Sequence, residues 1–133
     1  MAEFILDTNH ISPLVTLGHP LREKILERLH SGDNFSIAVP ALHEFLYGIA
    51  LLPRAAQNLK LWHSLENVFT YYAVDEVVAQ QSAQLRVKLR KQGWQLDSID
   101  SMIAVVVMQK GLVLLTTDKD FRGIPNLVHE NWR

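Results

Sequence analysis

The segment Phe4-Ile5-Leu6-Asp7-Thr8-Asn9 limits the possible folds more than any other stretch of the chain. The three apolar residues are too few for a helix and show no alternation. They therefore predict a strand buried on both faces, as in a parallel sheet. Asp7 then follows the carboxyl end of that strand, which is where open α/β sheets bind their ligands. Taken alone, Asp7 could equally serve a binding site or cap the next helix.

Strand-like runs alternate with helical patterns along the rest of the chain. Further strands are predicted at Phe35–Val39, Phe69–Val74, Leu112–Leu115 and, as a short fifth strand, Leu127–His129. Helices are predicted at Leu21–Leu29, Ala41–Leu52, Ala55–Leu65, Glu76–Lys91 and Ser98–Lys110, with a helical turn and a loop between Asn9 and Pro20. This alternation predicts one α/β domain over residues 1–133. We expect three α/β/α layers around a parallel sheet of four or five strands.

Composition narrows the functional classes. The chain has no cysteine, which excludes disulfides and thiolate metal sites and favours a reducing, cytoplasmic compartment. The six histidines show no paired ligand spacing, which argues against a zinc site, and no apolar run is long enough to span a membrane. A net charge of −1 is unusual for a nucleic-acid-binding domain. If several acids were gathered in one site, however, the remaining surface would be net positive.

Four acids are predicted to lie at the same edge of the sheet. Asp118 follows the fourth predicted strand as Asp7 follows the first, Glu44 lies one turn into the helix after the second strand, and Asp100 lies in the first turn of a very apolar helix. Individually, Asp118 could be a turn residue, Glu44 a solvated helix residue and Asp100 a helix-dipole partner. Those separate explanations account poorly for four acids at one edge.

Clustered carboxylates repel one another unless a cation lies among them. Oxygen ligands without histidine or cysteine suit Mg²⁺ or Mn²⁺. Such ions bind phosphoryl oxygens and activate water for in-line attack.

The ordered set of motifs resembles the PIN-domain family of nucleases, and within it the VapC-type toxins of bacterial toxin–antitoxin pairs. The matching segments are Leu6-Asp7-Thr8-Asn9, His43-Glu44-Phe45-Leu46-Tyr47-Gly48, Gly93 followed by Asp100-Ser101-Met102-Ile103-Ala104, and Leu115-Thr116-Thr117-Asp118-Lys119-Asp120-Phe121. The resemblance covers essentially the whole chain. Each motif is weakly specific alone, and their order and spacing make the set fairly specific.

The resemblance implies a Mg²⁺- or Mn²⁺-dependent endoribonuclease whose metal-binding and catalytic residues are Asp7, Glu44, Asp100 and Asp118. Asn9 and Thr116 match polar residues that support such a site. The expected partners are an RNA substrate, a small cognate antitoxin occupying the acidic groove, and a second copy in a homodimer. Two neighbouring acids, Asp97 and Asp120, leave the third and fourth assignments open, and we predict that Asp118 rather than Asp120 is the fourth acid.

The alternative is a receiver-like signalling or binding module with an acidic metal pocket and no nuclease activity. Its size and strand pattern fit. Such modules need adjacent acids after the first strand, whereas Leu6 and Thr8 flank Asp7, and they need a phosphorylated aspartate after the third strand, where a helix starts at Asp75-Glu76.

Other residues have simpler interpretations. Lys119 and Arg122, beside Asp118, are candidate phosphate contacts, whereas Arg86 to Lys91 is interpreted as a solvated helix face. Trp62, Trp94 and Trp132 are interpreted as isolated packing residues. Tyr47 to Leu52 is predicted to be mostly core, with part of it available to a dimer or partner surface.

Overall fold

The first strand, β1 (Glu3–Leu6), lies at the centre of a five-stranded parallel sheet in the computed structural model, which describes residues 2–133. Strand β2 (Asn34–Ala38) pairs with one side of β1, and β4 (Val113–Leu115) pairs with the other. The edge strands are β3 (Thr70–Tyr72) beside β2 and β5 (His129–Glu130) beside β4. Phe4, Ile5 and Leu6 are buried, which confirms the prediction of a strand covered on both faces.

The strand order β3-β2-β1-β4-β5 creates a switch point between β1 and β4. The chain runs from β1 outwards to β3 and then returns to the opposite side of β1, so the crossovers leave an open crevice at the carboxyl ends of these two strands. A flavodoxin-type receiver has the order 2-1-3-4-5. The observed topology therefore argues against the receiver-like alternative.

Six α-helices flank the sheet and give the predicted three layers. They are α1 (Thr8–Ile11), α2 (Pro20–His30), α3 (Val39–Ala50), α4 (Ala55–Leu65), α5 (Glu76–Lys91) and α6 (Ser98–Lys110). Short 3₁₀ helices cover Ser12–Val15, Glu66–Val68 and Lys119–Gly123. The bounds of α4, α5 and α6 are those predicted from sequence, because strong stop and start signals punctuate them. Gly111, for example, ends α6 with a left-handed backbone, φ 65°.

The hydrophobic core includes much of α6 and an aromatic cluster of Phe45, Trp62 and Phe69. Five consecutive residues of α6, Ile103 to Val107, are buried, as expected for a helix covered on more than one side. Trp62 packs edge-on against Phe45 with ring centroids 4.9 Å apart and stacks on Phe69 at 5.7 Å. Trp62 is therefore a packing residue as predicted, but it belongs to a cluster and is not isolated.

Several details differ from the sequence-based predictions. Helix α3 covers Val39–Ala50 and not Ala41–Leu52, and β3 covers only Thr70–Tyr72 of the predicted Phe69–Val74. Strand β5 begins at His129, beyond the predicted Leu127, because Asn126 adopts a left-handed conformation (φ 68°) that delays the start of pairing with β4. In the segment from Tyr47 to Leu52 only Ile49 is buried, whereas Tyr47 and Leu51 are more than 60 % exposed, at 64 % and 68 %. That segment is mostly surface, and not mostly core. Within residues 2–133, no helix combines the length and the apolar character needed to cross a membrane.

Candidate active site

Asp7 lies at the switch point, and its carboxylate is held on both oxygens. Its backbone N–H donates to the carbonyl of Leu115 at the end of β4 (3.0 Å), which ties the two strand ends together. Asp7 Oδ1 accepts from the backbone N–H of Thr8 (2.9 Å), and Oδ2 accepts from the hydroxyl of Thr116 (2.7 Å). Asp7 therefore caps the short helix α1, as one interpretation predicted, and also faces the crevice. Capping α1 therefore does not exclude the other interpretation of Asp7, a place in a binding site.

Asn9 and Thr116, the predicted supporting residues, are hydrogen-bonded to Asp7 and to each other. Asn9 Nδ2 donates to Asp7 Oδ2 (3.1 Å) and to Thr116 Oγ1 (3.3 Å). Asn9 Oδ1 accepts from the backbone N–H of Thr117 (3.0 Å), and Thr116 Oγ1 accepts from the backbone N–H of Asp118 (3.0 Å). The segments after β1 and β4 are thus linked by one connected set of hydrogen bonds.

The other three predicted acids surround Asp7. Glu44, on α3, accepts from the hydroxyl of Thr8 (3.2 Å) and is otherwise exposed. Asp118 follows β4, and Asp100 lies in the first turn of α6. Carboxylate oxygens of Asp100, Asp118 and Asp120 lie within 4.8 Å of one another. The structure thus brings together the four predicted acids and adds Asp120, which is exposed as predicted.

The doubled acids have different roles in the local structure. Asp97 is the N-cap of α6, since its Oδ1 accepts from the backbone N–H of Asp100 (2.7 Å). That leaves the Asp100 carboxylate for the crevice and explains why two acids occur three residues apart. Asp118 is itself a cap, because its Oδ1 accepts from the backbone N–H of Asp120 (2.8 Å) at the start of the 3₁₀ helix Lys119–Gly123. Capping therefore does not decide which acid of this second pair is the fourth acid of the site, and Asp118 stays the prediction.

The electrostatics of the cluster are those of like charges held together. Burial raises the pKa of Asp7, and the charges of Asp118 and Glu44 raise it further, against the hydrogen bonds from Thr116 and Thr8. Burial also raises the pKa of Asp100 to about 8, with added repulsion from Asp7, Asp97, Asp118 and Glu44. Among residues 2–133, no lysine, arginine or histidine forms an ion pair with any of the four acids.

This donor set fits a hard divalent cation. The four predicted acids offer carboxylate oxygens, and no basic side chain among residues 2–133 forms an ion pair with them. Burial, with repulsion between the acids added to it, raises the pKa of Asp7 and of Asp100. Mg²⁺ or Mn²⁺ held by Asp7, Asp100, Asp118 and Glu44 would supply positive charge to this cluster. Asp120 is a fifth acid within reach.

His10 is a buried residue that the sequence did not single out. It is fully buried, and its Nε2 accepts from the backbone N–H of Trp132 (3.0 Å). Its Nδ1 therefore carries the proton and donates to Asn9 Oδ1 (2.7 Å). Burial lowers the pKa of His10 to about 4, with the charge of Arg133 adding to the effect. No spacing or motif marks this histidine, because its partner lies 122 residues away in sequence.

Two grooves lie beside the acids. One, of about 350 Å³, has Thr8, Glu44, Phe45 and Ile49 among its lining residues. The other, of about 730 Å³, is lined by Arg86, Arg90 and Trp94 together with Asp97 and Asp120. Arg86 Nε donates to the carbonyl of Leu96 (2.9 Å), so this arginine has a structural bond beyond a solvated helix face. Lys119 and Arg122, the predicted phosphate contacts, are exposed beside Asp118.

Comparison with known proteins places this geometry in a family context. The PIN domain family model matches residues 4–127. The tRNA(fMet)-specific endonuclease VapC of Shigella flexneri is 26 % identical over 133 residues, which cover 99 % of both chains.

Two solved structures share the fold. The VapBC2 structure from Rickettsia felis, bound to a DNA fragment from the promoter, superposes with a TM-score of 0.85 at 23 % identity, covering 98 % of this chain and 99 % of that one. The DNA-bound VapBC structure from Salmonella typhimurium gives a TM-score of 0.83 at 25 % identity, covering all of both chains.

Proposed function

The chain belongs to the PIN-domain family, and from that premise we propose that it is a metal-dependent endoribonuclease, the toxin of a VapC-type toxin–antitoxin pair. The observation that carries this proposal is the convergence of Asp7, Asp100, Asp118 and Glu44 at the switch point without a basic partner among residues 2–133. The endonuclease name of the Shigella flexneri relative supports RNA as the substrate class.

The chain's own residues provide orientation and charge. Asp7, Asp100, Asp118 and Glu44 are proposed to hold Mg²⁺ or Mn²⁺. Once bound, the ion supplies the positive charge that lowers the pKa of a water and offsets the charge of the phosphodiester. Thr116 fixes the Asp7 carboxylate and Thr8 fixes that of Glu44 through hydroxyl hydrogen bonds. Such fixed carboxylates bind without the cost of reordering at the moment of reaction.

Exposed basic side chains near the acids are candidates for binding the RNA backbone. We propose that Lys119 and Arg122 contact phosphates near the scissile bond, because both follow Asp118 on a 3₁₀ helix and are exposed. The ordered position of this helix supports such a role, since Trp94 Nε1 donates to the carbonyl of Asp120 (2.7 Å).

The proposal includes two protein partners. A small antitoxin protein is proposed to occupy the groove beside Glu44, whose lining includes apolar residues such as Phe45 and Ile49 together with Glu44 and Arg133, and which so suits a largely apolar segment. A homodimer is also proposed, for which the exposed Tyr47, Leu51 and Leu52 supply apolar surface. A cytoplasmic location agrees with the RNA substrate and with a chain that lacks cysteine.

The decisive experiment is incubation of the purified chain with a mixed RNA pool in Mn²⁺, in Mg²⁺ and in EDTA. Cleavage is expected with either ion and not with the chelator. Asp118→Asn should remove the activity, and Asp33→Asn, which makes the same chemical change at the opposite end of the sheet, should keep it. Cleavage that continues at full rate in EDTA would falsify the metal mechanism, and an inactive wild type over a broad RNA pool would overturn the nuclease assignment.

A further inference from the structure

The C-terminal segment Glu130–Arg133 is packed onto the part of the chain that carries Asp7. The backbone N–H of Thr116 donates to the carbonyl of Glu130 (3.0 Å), as part of the pairing between β4 and β5. The ring of Trp132 then packs edge-on against Phe4 with centroids 4.8 Å apart, and the ammonium of Lys24 lies 4.1 Å from the Trp132 ring centroid. The end of the chain is therefore a fixed part of the domain.

His10 connects this C-terminal segment to Asn9. The backbone N–H of Trp132 occupies the acceptor position at His10 Nε2, which leaves the proton on Nδ1, and Nδ1 donates to Asn9 Oδ1. Arg133 adds a second link, because its guanidinium donates to the backbone carbonyl of Asn9 (3.0 Å). Residues from the two ends of the chain thus determine the same tautomer and the same side-chain position.

The orientation of the Asn9 amide decides what Asp7 receives. Asn9 Oδ1 faces two donors, His10 Nδ1 and the backbone N–H of Thr117, so Asn9 Nδ2 must face Asp7 Oδ2 and Thr116 Oγ1. A rotated amide would present its oxygen to the Asp7 carboxylate, which is a repulsive contact. Asp7 would then keep only the Thr116 hydroxyl as a donor on Oδ2.

We propose that His10 is a positioning residue of this site, with the C-terminal segment as its anchor. Its Nδ1–H fixes the Asn9 amide, and Asn9 in turn fixes the carboxylate of Asp7 for the divalent ion. Both consequences rest on the proposed divalent-ion site, and the consequence for RNA cleavage rests in addition on the proposed ribonuclease activity. Groups that orient metal ligands from outside the coordination sphere typically change affinity or activity 10- to 100-fold when they are lost, roughly the range expected here.

Two substitutions separate the two hydrogen bonds of the imidazole. In His10→Asn, the amide nitrogen takes the place of Nδ1 and can still donate to Asn9, but nothing reaches Trp132. In His10→Gln, the longer amide reaches the Trp132 N–H with its oxygen, but the donor to Asn9 is lost. Both variants replace a buried ring by a smaller amide, so both are expected to melt at a lower temperature than wild type.

The test is a titration of the metal-free protein, residues 1–133, with Mn²⁺, in which electron paramagnetic resonance measures the free ion. We expect His10→Gln to bind Mn²⁺ about tenfold more weakly than wild type and His10→Asn to keep most of the affinity. A purely structural role for His10 would instead make the affinity follow the melting temperature. The kcat of RNA cleavage at saturating Mn²⁺ should follow the same order.

Several outcomes would overturn the proposal. Equally weakened Mn²⁺ binding in both variants would assign His10 a packing role. Weaker Mn²⁺ binding in His10→Asn than in His10→Gln would assign the effect to the hydrogen bond between Trp132 and His10. Wild-type affinity in both variants would separate Asn9 from the metal site. If wild type does not cleave RNA but the two variants differ in Mn²⁺ affinity as expected, the proposed function fails while the positioning role stands.

Discussion

Aspartates at the two ends of the parallel sheet have opposite electrostatic surroundings and opposite pKa shifts. At the amino end, Asp33 precedes β2 and accepts from the guanidinium of Arg28 and from the backbone N–H of Ala2. The Arg28 hydrogen bond and then the Ala2 N–H hold the pKa of Asp33 below its usual range. At the carboxyl end, burial and four neighbouring acids raise the pKa of Asp100 to about 8.

The Asp33 carboxylate is paired within the fold by Arg28, whereas the acids at the carboxyl end of the sheet are those proposed to bind an ion. The Arg28 guanidinium lies between Asp33 and the rings of Phe4 and Trp132, with its carbon 5.3 Å and 5.1 Å from their centroids, so its contacts are complete within the chain. At the carboxyl end, Asp7, Glu44 and Asp118 accept hydrogen bonds, but none of the four acids has a counter-charge among residues 2–133. Their contacts become complete when a cation is added, and the same Asp→Asn change should therefore act oppositely at the two ends.

The largest expected contrast is in catalysis. Asp118→Asn should lower the rate of RNA cleavage by at least about 100-fold, since removing a proposed metal ligand should cost no less than removing its supporting groups. Asp33→Asn should leave the rate at the wild-type level, because Asp33 lies at the other end of the strands. Initial rates on one RNA substrate with Mn²⁺ measure the contrast. A comparable loss in Asp33→Asn would mean that the rate reports folding and not the site.

A second contrast lies within the acidic cluster, between Asp118 and Asp120. Asp118 accepts from a backbone N–H and is half-buried next to Thr116, whereas Asp120 is exposed. We expect Asp118→Asn to lose at least about tenfold more activity than Asp120→Asn, because a fixed and partly buried carboxylate loses less entropy on binding an ion. Rates of the two variants at saturating Mn²⁺ decide between them. Equal losses would make Asp120 a ligand of the same standing.

The sequence predicted the positions of these acids because each follows a clear local signal. Asp7 and Asp118 follow buried strands, Glu44 lies in the first turns of α3, and Asp100 opens an apolar helix whose bounds were predicted without error. Parallel strand order then brings the ends together. The hydrogen bonds show that Asp97 and Asp118 cap helices, which the pattern of acids alone could not show because it allows either member of each pair.

The anchoring of Asn9 could not be predicted for a physical reason. His10 and Trp132 meet only after the whole sheet is assembled, since β5 must pair with β4 before Trp132 reaches Phe4. No periodicity links residues at that separation. The exposed apolar residues of α3 were missed for a related reason, because a chain that supplies a partner surface has the same composition there as one that supplies core.

A third contrast concerns stability without metal. Asp100→Asn keeps the shape of the side chain and removes an acid that the metal-free folded chain must either protonate or hold as a charge beside Asp7, Asp118 and Glu44. Repulsion between two carboxylates is worth about 1 kcal/mol in a solvent-screened cleft. Asp100→Asn should therefore raise the melting temperature of the metal-free protein by about 3 °C. Asp33→Asn should lower it, because Arg28 loses an ionised partner.

Thermal melts of both variants in EDTA and in Mn²⁺ test this opposition. The stabilisation that Mn²⁺ gives to wild type should shrink in Asp100→Asn and remain in Asp33→Asn, since binding stabilises only through the native site. A lower metal-free melting temperature in Asp100→Asn, with the Mn²⁺ response intact, would instead make Asp100 a helix-dipole partner.

The smallest expected effect is the pH dependence of the rise in melting temperature that Asp100→Asn gives to the metal-free protein. Asp100 has its pKa raised from 3.8 to about 8 in the folded chain, so between these values the native state holds a proton that the unfolded state has released. Stability of the metal-free protein therefore falls as pH rises through this window. His10 acts oppositely between about 4 and 6.5, where the unfolded state binds the proton and stability rises with pH. Above pH 6.5 the contribution of His10 is complete.

The interval from pH 6.5 to 8 is therefore the one in which Asp100 can be observed without opposition from His10. The difference in melting temperature between Asp100→Asn and wild type, both in EDTA, should widen across this interval, by about 1 to 2 °C if the whole effect is about 3 °C. Asp33→Asn is the control, because a carboxyl with a lowered pKa is fully ionised in both states at these pH values. A constant difference from pH 6.5 to 8 would mean that Asp100 is already ionised at neutral pH, and that water or Asp120 relieves the repulsion before any ion binds.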